Sequence, residues 1–523
     1  MRKLIGCGLV VALAGMLACG VGTEDGPGLQ LAFARQPLDA PCPELPGEPG
    51  SAPVLDAVEL TLLRADGTVH FRKRVSPGSD GKVRVGGIAA GEDLTLEVRG
   101  LVSGQVAWYG SAAPVNIRQG VDTTVGIFLA AVGDVSCAAR PLQAPRAFLA
   151  AAGLPGGRVL LAGGVDRLQA DGCGPGCDAW QATAAVDMYD PATGIIYPVA
   201  RLHTPRALAS ATLMPDGRVL VVGGVRQLGL QAGSGMFLQV APGDVLASFE
   251  VYLPGPDVWI EKTMPQGMVL HSASLLPDGR VLLAGGGTAP DEEHASNFAY
   301  LYDPGLGSAG EVVKVTSAMA TRRLGHAAVV TAAGKVLLIG GAIYPTAPPL
   351  EEFTPSAEGG VFLEKLSSGL PANLMFAGAA IIPLRPDEVF VAGGRVYDGQ
   401  VLQPPVTGNS RLIRRISSDD AEWQEGPALA SPRWLAGMVT AGRELVLAGG
   451  FGDEQLTPSR EIEVFDPQGE LAAAGQTSVE RAGHAAVPLV GGQVLLAGGL
   501  GPQDVLRSAE LFTPAALAGE SEQ

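Results

Sequence analysis

A chain of 523 residues is long enough for more than one domain. Its 73 glycines and 40 prolines, with 17% charged and 5% aromatic residues, suit tightly turned β structure rather than disorder. A net charge of −17 makes nucleic acid a poor partner.

The chain opens with Met1-Arg-Lys, an apolar run over residues 4–17 and then Ala18-Cys19-Gly20. A charged start, a short apolar core and a small residue before the cut read as an export signal. Cys19 fits a bacterial lipobox, although Met16 is a less usual residue at the third position upstream. The resemblance implies a lipoprotein signal over residues 1–18, lipidation of Cys19, and a polar tether over 19–28. The alternative is an ordinary signal peptide. No later run is long and apolar enough to cross a membrane. The expected location is therefore the cell envelope, at the outer membrane and facing the periplasm or the surface, held by lipid alone.

Residues 29–131 alternate apolar and polar positions at 29–33, 58–63, 69–75, 82–85, 94–98, 106–109 and 123–129. Asp66-Gly67, Asp80-Gly81 and Gly91-Glu-Asp punctuate them. Short strands at this spacing predict a small β-sandwich. It is similar to prealbumin-like or Ig-like modules, and is expected to be a stalk.

The rest of the chain is built on one phrase, seen most clearly as His484-Ala-Ala-Val-Pro-Leu-Val-Gly-Gly-Gln-Val-Leu-Leu-Ala-Gly498-Gly499. Seven Gly-Gly pairs end apolar runs, at Gly163, Gly223, Gly285, Gly340, Gly393, Gly449 and Gly498, spaced 60, 62, 55, 53, 56 and 49 residues apart. Such periods mean a propeller or a solenoid. Within each unit a small apolar run leads into a turn such as Met214-Pro-Asp-Gly-Arg218, where glycine supplies the positive φ of a tight hairpin. A continuous apolar run follows, suited to a strand buried on both faces. A variable stretch precedes a third strand closing on proline, as in Val186-Asp-Met-Tyr-Asp-Pro191. A weaker fourth strand often carries an aromatic, as at Tyr197, Trp259 and Trp423.

Four short antiparallel strands per unit, repeated radially, describe a β-propeller blade. The pattern of Arg-x-x-His, Gly-Gly, an acidic third strand and a fourth-strand Trp resembles the kelch repeat of the galactose oxidase/kelch-like propellers. The resemblance covers about residues 133–517 and implies an all-β fold with seven kelch-like blades over 132–517, ahead of a tail at 518–523. The fifth unit departs most, with no Arg-x-x-His and an obscure third strand near residues 396–405. The seventh lacks a fourth strand at its end. Residues 132–142 are expected to supply it, since an open ring would leave an exposed edge.

The strand 1–2 turns are uniformly tight, whereas the strand 2–3 loops are long and unlike one another: 165–184, 225–246, 287–297, 342–350 and 451–460. Variable loops on a rigid scaffold are where binding usually lives. Five arginines enter the same face, Arg146, Arg206, Arg323, Arg433 and Arg481. In an acidic protein they are candidates for a basic, ligand-binding mouth, since guanidinium pairs bidentately with carboxylates and anionic sugars. The competing reading pairs each with a strand-3 carboxylate, from Asp187, Glu250, Glu351, Glu463 and Glu510. His271, His326 and His484 share one repeat position, where either a metal site or packing is open. No cofactor or metal is expected.

Of six cysteines, Cys7 leaves with the signal and Cys19 takes the lipid. In an exported chain the remaining even set suggests disulfides, Cys173 with Cys177 and then Cys42 with Cys137. A monomer is expected, binding a glycan or an envelope protein through its strand 2–3 loops. The alternative is a sugar-modifying enzyme, epimerase- or oxidase-like, acting at the channel mouth.

Overall fold

The computed structural model describes residues 28–33, 42, 54–78, 81–169, 178–233, 236–241, 243–291, 293–342, 350–365, 373–396, 410–418 and 421–519. The export signal, Cys19, most of the tether, Cys173 and Cys177 lie outside the described residues. What is described is almost entirely β structure, with one short 3-10 helix at Ala515–Ala518.

Seven four-stranded antiparallel meanders follow one another, in the manner of a β-propeller. The first runs Ala150–Gly153, Val159–Ala162, Val186–Asp190 and Ile195–Pro198. The seventh runs Ala485–Pro488, Val494–Ala497 and Ala509–Phe512. Its fourth strand is Val135–Cys137, which comes from before the first sheet and pairs Glu510 with Cys137, Leu511 with Ser136 and Phe512 with Val135. The second strands, such as Val159–Ala162 and Val494–Ala497, are buried along their whole length. This is why they read as unbroken apolar runs. Neighbouring sheets share apolar layers: Leu160 and Met188 of the first sheet pack with Val219, Val221 and Tyr252 of the second.

The Gly-Gly pairs make these layers possible. Both glycines of each pair have positive φ. A Cβ on Gly163 would collide with the carbonyl oxygen of Arg206 at the start of the next sheet. The second glycine donates its N–H to that same kind of carbonyl. Gly164 reaches Arg206, Gly224 reaches Met268, Gly286 reaches Arg323, Gly341 reaches Leu374, Gly394 reaches Arg433 and Gly450 reaches Arg481, all at 2.7–2.9 Å. Gly499 of the last sheet then donates to Arg146 of the first at 2.8 Å. The series therefore returns to its origin.

Two differences from the sequence expectation stand out. The third strand of the fifth sheet is Ser410–Arg414, further along than residues 396–405, which lie mostly outside the described residues. The first two strand 2–3 loops are not irregular. Val165–Gln169 and Asp178–Ala182 join Gln227–Leu230 and Leu238–Gln239 in an additional four-stranded sheet laid over one end of the ring.

Residues before the ring form two further sheets. Leu29–Phe33 lies between Val83–Val85 and Thr123–Ile127. Ala57–Leu63, Gly91–Val102 and Gln105–Ile117 are the inner strands of a five-stranded partner sheet. The two sheets bury one core, with Leu29, Leu31 and Val83 from the first and Leu60, Leu96 and Val98 from the second. This unit sits on strand 1–2 turns. Tyr109 Oη donates to Gly491 O at 2.9 Å, Ser111 Oγ donates to Val490 O, and Arg99 Nε donates to Leu517 O at 3.0 Å. A disulfide joins Cys42 to Cys137 on the seventh sheet's borrowed strand.

Candidate functional site

The five arginines do not form a basic mouth. Each is fully buried, at 0–1% exposure, and each is ion-paired to the third-strand carboxylate of its own sheet. Arg146 meets Asp187 at 2.6 Å, Arg206 meets Glu250 at 2.8 Å, Arg323 meets Glu351 at 2.6 Å and Arg433 meets Glu463 at 2.7 Å, while Arg481 meets Glu510. The guanidinium also serves the backbone. Arg206 donates to Gly223 O at 3.0 Å and to Ser248 O at 3.2 Å, and Arg146 donates to Gly163 O at 2.9 Å. The carboxylate completes the clasp by accepting the backbone N–H three residues before its arginine. Examples are His203 N to Glu250 at 2.8 Å, Ala430 N to Glu463 at 2.8 Å and Ser478 N to Glu510 at 2.9 Å. Burial pushes the guanidinium pKa of Arg146, Arg206, Arg323 and Arg433 below the ordinary value, against the pull of the carboxylates.

The chain contains its own control for this reading. Two sheets lack the arginine, having Met268 and Leu374 there. In both, the facing third-strand position has lost its carboxylate: Leu283 pairs with Tyr300, and Val391 pairs with Arg411. Arginine and acid are present together or absent together. A ligand site has no need of that coupling, whereas a buried ion pair does, because either charge alone is costly.

The histidines belong to the same framework. His271 Nε2 lies 2.9 Å from Ser210 Oγ of the preceding sheet, and His326 Nε2 lies 2.9 Å from Ser272 Oγ. His484 meets Gly437 where a serine would stand. Burial pushes His271 down to about 4, and burial with a neighbouring arginine pushes His326 and His484 to about 3. They are neutral packing groups between sheets at ordinary pH. Together with Leu149, Ala209, Ala377 and Ala436 they line an axial cavity of about 360 Å³.

A ring of left-handed residues caps that cavity. Phe148, Leu208, Leu270, Gly325, Phe376, Leu435 and Gly483 all have φ between 52° and 61° and occupy one repeat position. Above them the axis is filled. Ala147, Ala207, Val269, Leu324, Met375, Trp434 and Ala482, one from each sheet, form a single buried cluster with Phe237 from the second strand 2–3 loop. Phe237 stands edge-on to Phe376 at 5.2 Å and to Trp434 at 4.8 Å between ring centroids.

With the axis closed at that end, the space left on the loop face lies off-centre. A cleft of about 290 Å³ is bounded by Trp180, Leu230 and Ala232 of the additional sheet and its links, by Phe451, Gln455, Leu456 and Pro458, and by residues 500–504. A larger hollow of about 530 Å³ lies beside Cys42, Pro145, Val479 and residues 501–507. Among the described residues, no group of three or more His, Cys, Asp or Glu side chains is placed to hold a metal ion.

No protein-family model matches the chain, and no curated protein matches it. Among solved structures it is similar to a fungal alcohol oxidase of the AA5 family, determined in complex with copper. The TM-score is 0.54 at 16% identity, covering 71% of this chain and 75% of that one. This likeness shows a shared fold. The loop end of this chain's axis is apolar.

Proposed function

We propose that the chain is a cell-envelope lipoprotein in which a seven-bladed kelch-like propeller, carried on a small β-sandwich, binds a glycan or an envelope protein through its strand 2–3 loops. The domain limits go with this reading: signal 1–18, tether 19–28, sandwich 29–131, propeller 132–517 and tail 518–523. One observation carries it. The repeated charged residues are consumed inside the ring, and its axis is plugged, so the surface left to vary is the loop face. Orientation supports the same reading. The N-terminal unit rests on the strand 1–2 turn at Val490 and Gly491, so a tether leaving it would hold the loops away from the membrane.

A second reading, a sugar-modifying enzyme with a site at the channel mouth, draws on the likeness to an alcohol oxidase. The plug of Phe237, Phe376 and Trp434 weighs against a site on the axis at the loop end. The test is a screen of the whole chain, carrying Cys19→Ala to prevent lipidation, against arrays of glycans and cell-wall polymers, followed by pull-down of envelope proteins. Binding to either class supports the reading. A chain that binds neither but turns over a sugar replaces it with the second.

A further inference from the structure

We infer that the off-axis cleft of about 290 Å³ between Trp180 and the 455–458 and 501–504 segments is the ligand subsite, and that it takes an uncharged saccharide ring. This inference deepens the glycan-binding reading and rests on it.

The cleft exists because of the plug. The additional sheet crosses the loop end of the ring and leaves its flank, with Trp180 and Leu230, facing the loops of the sixth and seventh sheets. Its volume lies at the small end of the range for small-molecule sites, about 300–1,000 Å³, which suits a single ring rather than a long chain. Its walls are of two kinds. Trp180, Leu456 and Pro458 are apolar, whereas Gln455, Gln503 and Asp504 are polar and exposed. A pyranose has the complementary division, with C–H faces that pack on apolar surface and a rim of hydroxyls that both donate and accept.

The polar groups of the cleft are open to a ligand, unlike two other loop carboxylates: Asp453 accepts from Gln455 N and Thr457 N, and Asp291 is paired with His294. In the cleft, Asp504 uses one oxygen, toward Val505 N at 2.7 Å, and the other has no partner among the described residues. Trp180, only 8% exposed, lends the cleft a carbon face rather than a donor, its indole nitrogen being buried. No lysine or arginine lines the cleft, so an anionic sugar finds no counter-charge there. Leu456, whose φ of 62° is a left-handed conformation unusual for leucine, forms part of the wall.

The experiment is calorimetric titration of the whole Cys19→Ala chain with neutral hexose and N-acetylhexosamine oligosaccharides and with acidic saccharides, preceded by an array of the same compounds. The variants are Gln455→Ala, Asp504→Asn and Gln503→Ala. Gln455, Gln503 and Asp504 are exposed, so their replacement leaves the melting temperature unchanged. Each of the three is expected to weaken binding about tenfold, the worth of one hydrogen bond to a confined ligand. If a neutral saccharide binds and none of the variants weakens it, the glycan reading stands and this subsite is overturned. If the array and the titrations show only acidic saccharides binding, the uncharged class is overturned. If no saccharide of either kind binds, both the subsite and the glycan reading fall.

Discussion

Removing one half of an arginine clasp should be far more damaging than removing both. Arg206 and Glu250 are each fully buried, and the guanidinium pKa is held down chiefly by burial, so desolvation outweighs attraction at this pair. Arg206→Met leaves the Glu250 carboxylate with only the backbone N–H groups of His203 and Thr204 and the imidazole of His203. Breaking a buried pair in this way costs about 3–5 kcal/mol. Glu250→Tyr alone leaves the buried arginine with only the more distant, more exposed Glu261 at 3.7 Å, at a cost toward the lower end of that range. The double variant, Arg206→Met with Glu250→Tyr, installs the combination that Met268 and Tyr300 already form in the third sheet. It should lie within about 1–3 kcal/mol of the parent, the remainder being imperfect packing. The coupling between the two positions is then about 3 kcal/mol or more. Denaturant titration followed by tryptophan fluorescence is the assay. Trp259 sits in the same sheet, its indole N–H bonded to Ala200 O at 2.8 Å, and reports on the region directly. A cost below about 1 kcal/mol for Arg206→Met, or a double variant as unstable as the two singles summed, would refute the clasp.

Acid should loosen the ring through its histidines. His271, His326 and His484 have folded values of about 4, 3 and 3, against an ordinary 6.5, so the unfolded chain takes up protons first as pH falls. Their stabilisation is complete above pH 6.5 and is lost progressively down to about 4 or 3. Each contributes a loss of about 1.4 kcal/mol by pH 5.5. Denaturation midpoints at pH 7.5 and 5.5 should therefore differ less in His326→Gln than in the parent, and an equal difference would contradict this assignment. Phe237→Ala should cost about 3–5 kcal/mol within the plug and speed amide exchange in Gln227–Leu230, while Val494–Ala497 is unaffected. Replacing Cys42 and Cys137 by serine should cost about 2–5 kcal/mol and make the melting temperature indifferent to reductant.

Much of the framework was legible because it repeats. The Gly-Gly pairs, the Asp-Gly turns and the carboxylate four residues before each proline recur at fixed offsets, and each reports a local backbone requirement. The arginines were visible as positions and ambiguous as groups. A charge in sequence carries no mark of its depth, and only pairing Val221 with Glu250 brings acid and base into one buried layer. The internal covariation of Met268 with Tyr300 was available in the sequence, but the register that aligns them was not. The additional sheet was hidden for another reason. It pairs Trp180 with Leu228 across the boundary between two repeats, so no single unit contains its pattern. The third strand of the fifth sheet, Ser410–Arg414, lacks the carboxylate that marks five of its six counterparts.

The borrowed strand Val135–Cys137 also sets the order of events in time. It is made before any of the seven sheets, yet its partner Ala509–Phe512 is made after all of them. A chain synthesised from its N-terminus therefore holds an unclosed arc until the last repeat has been made, with Glu510 still to reach Arg481 and Gly499 still to reach Arg146. Completion waits for Ala509–Phe512. A product shortened by even a few tens of residues would keep open strand edges and unpaired buried charges, and proteases would recognise it as unfinished.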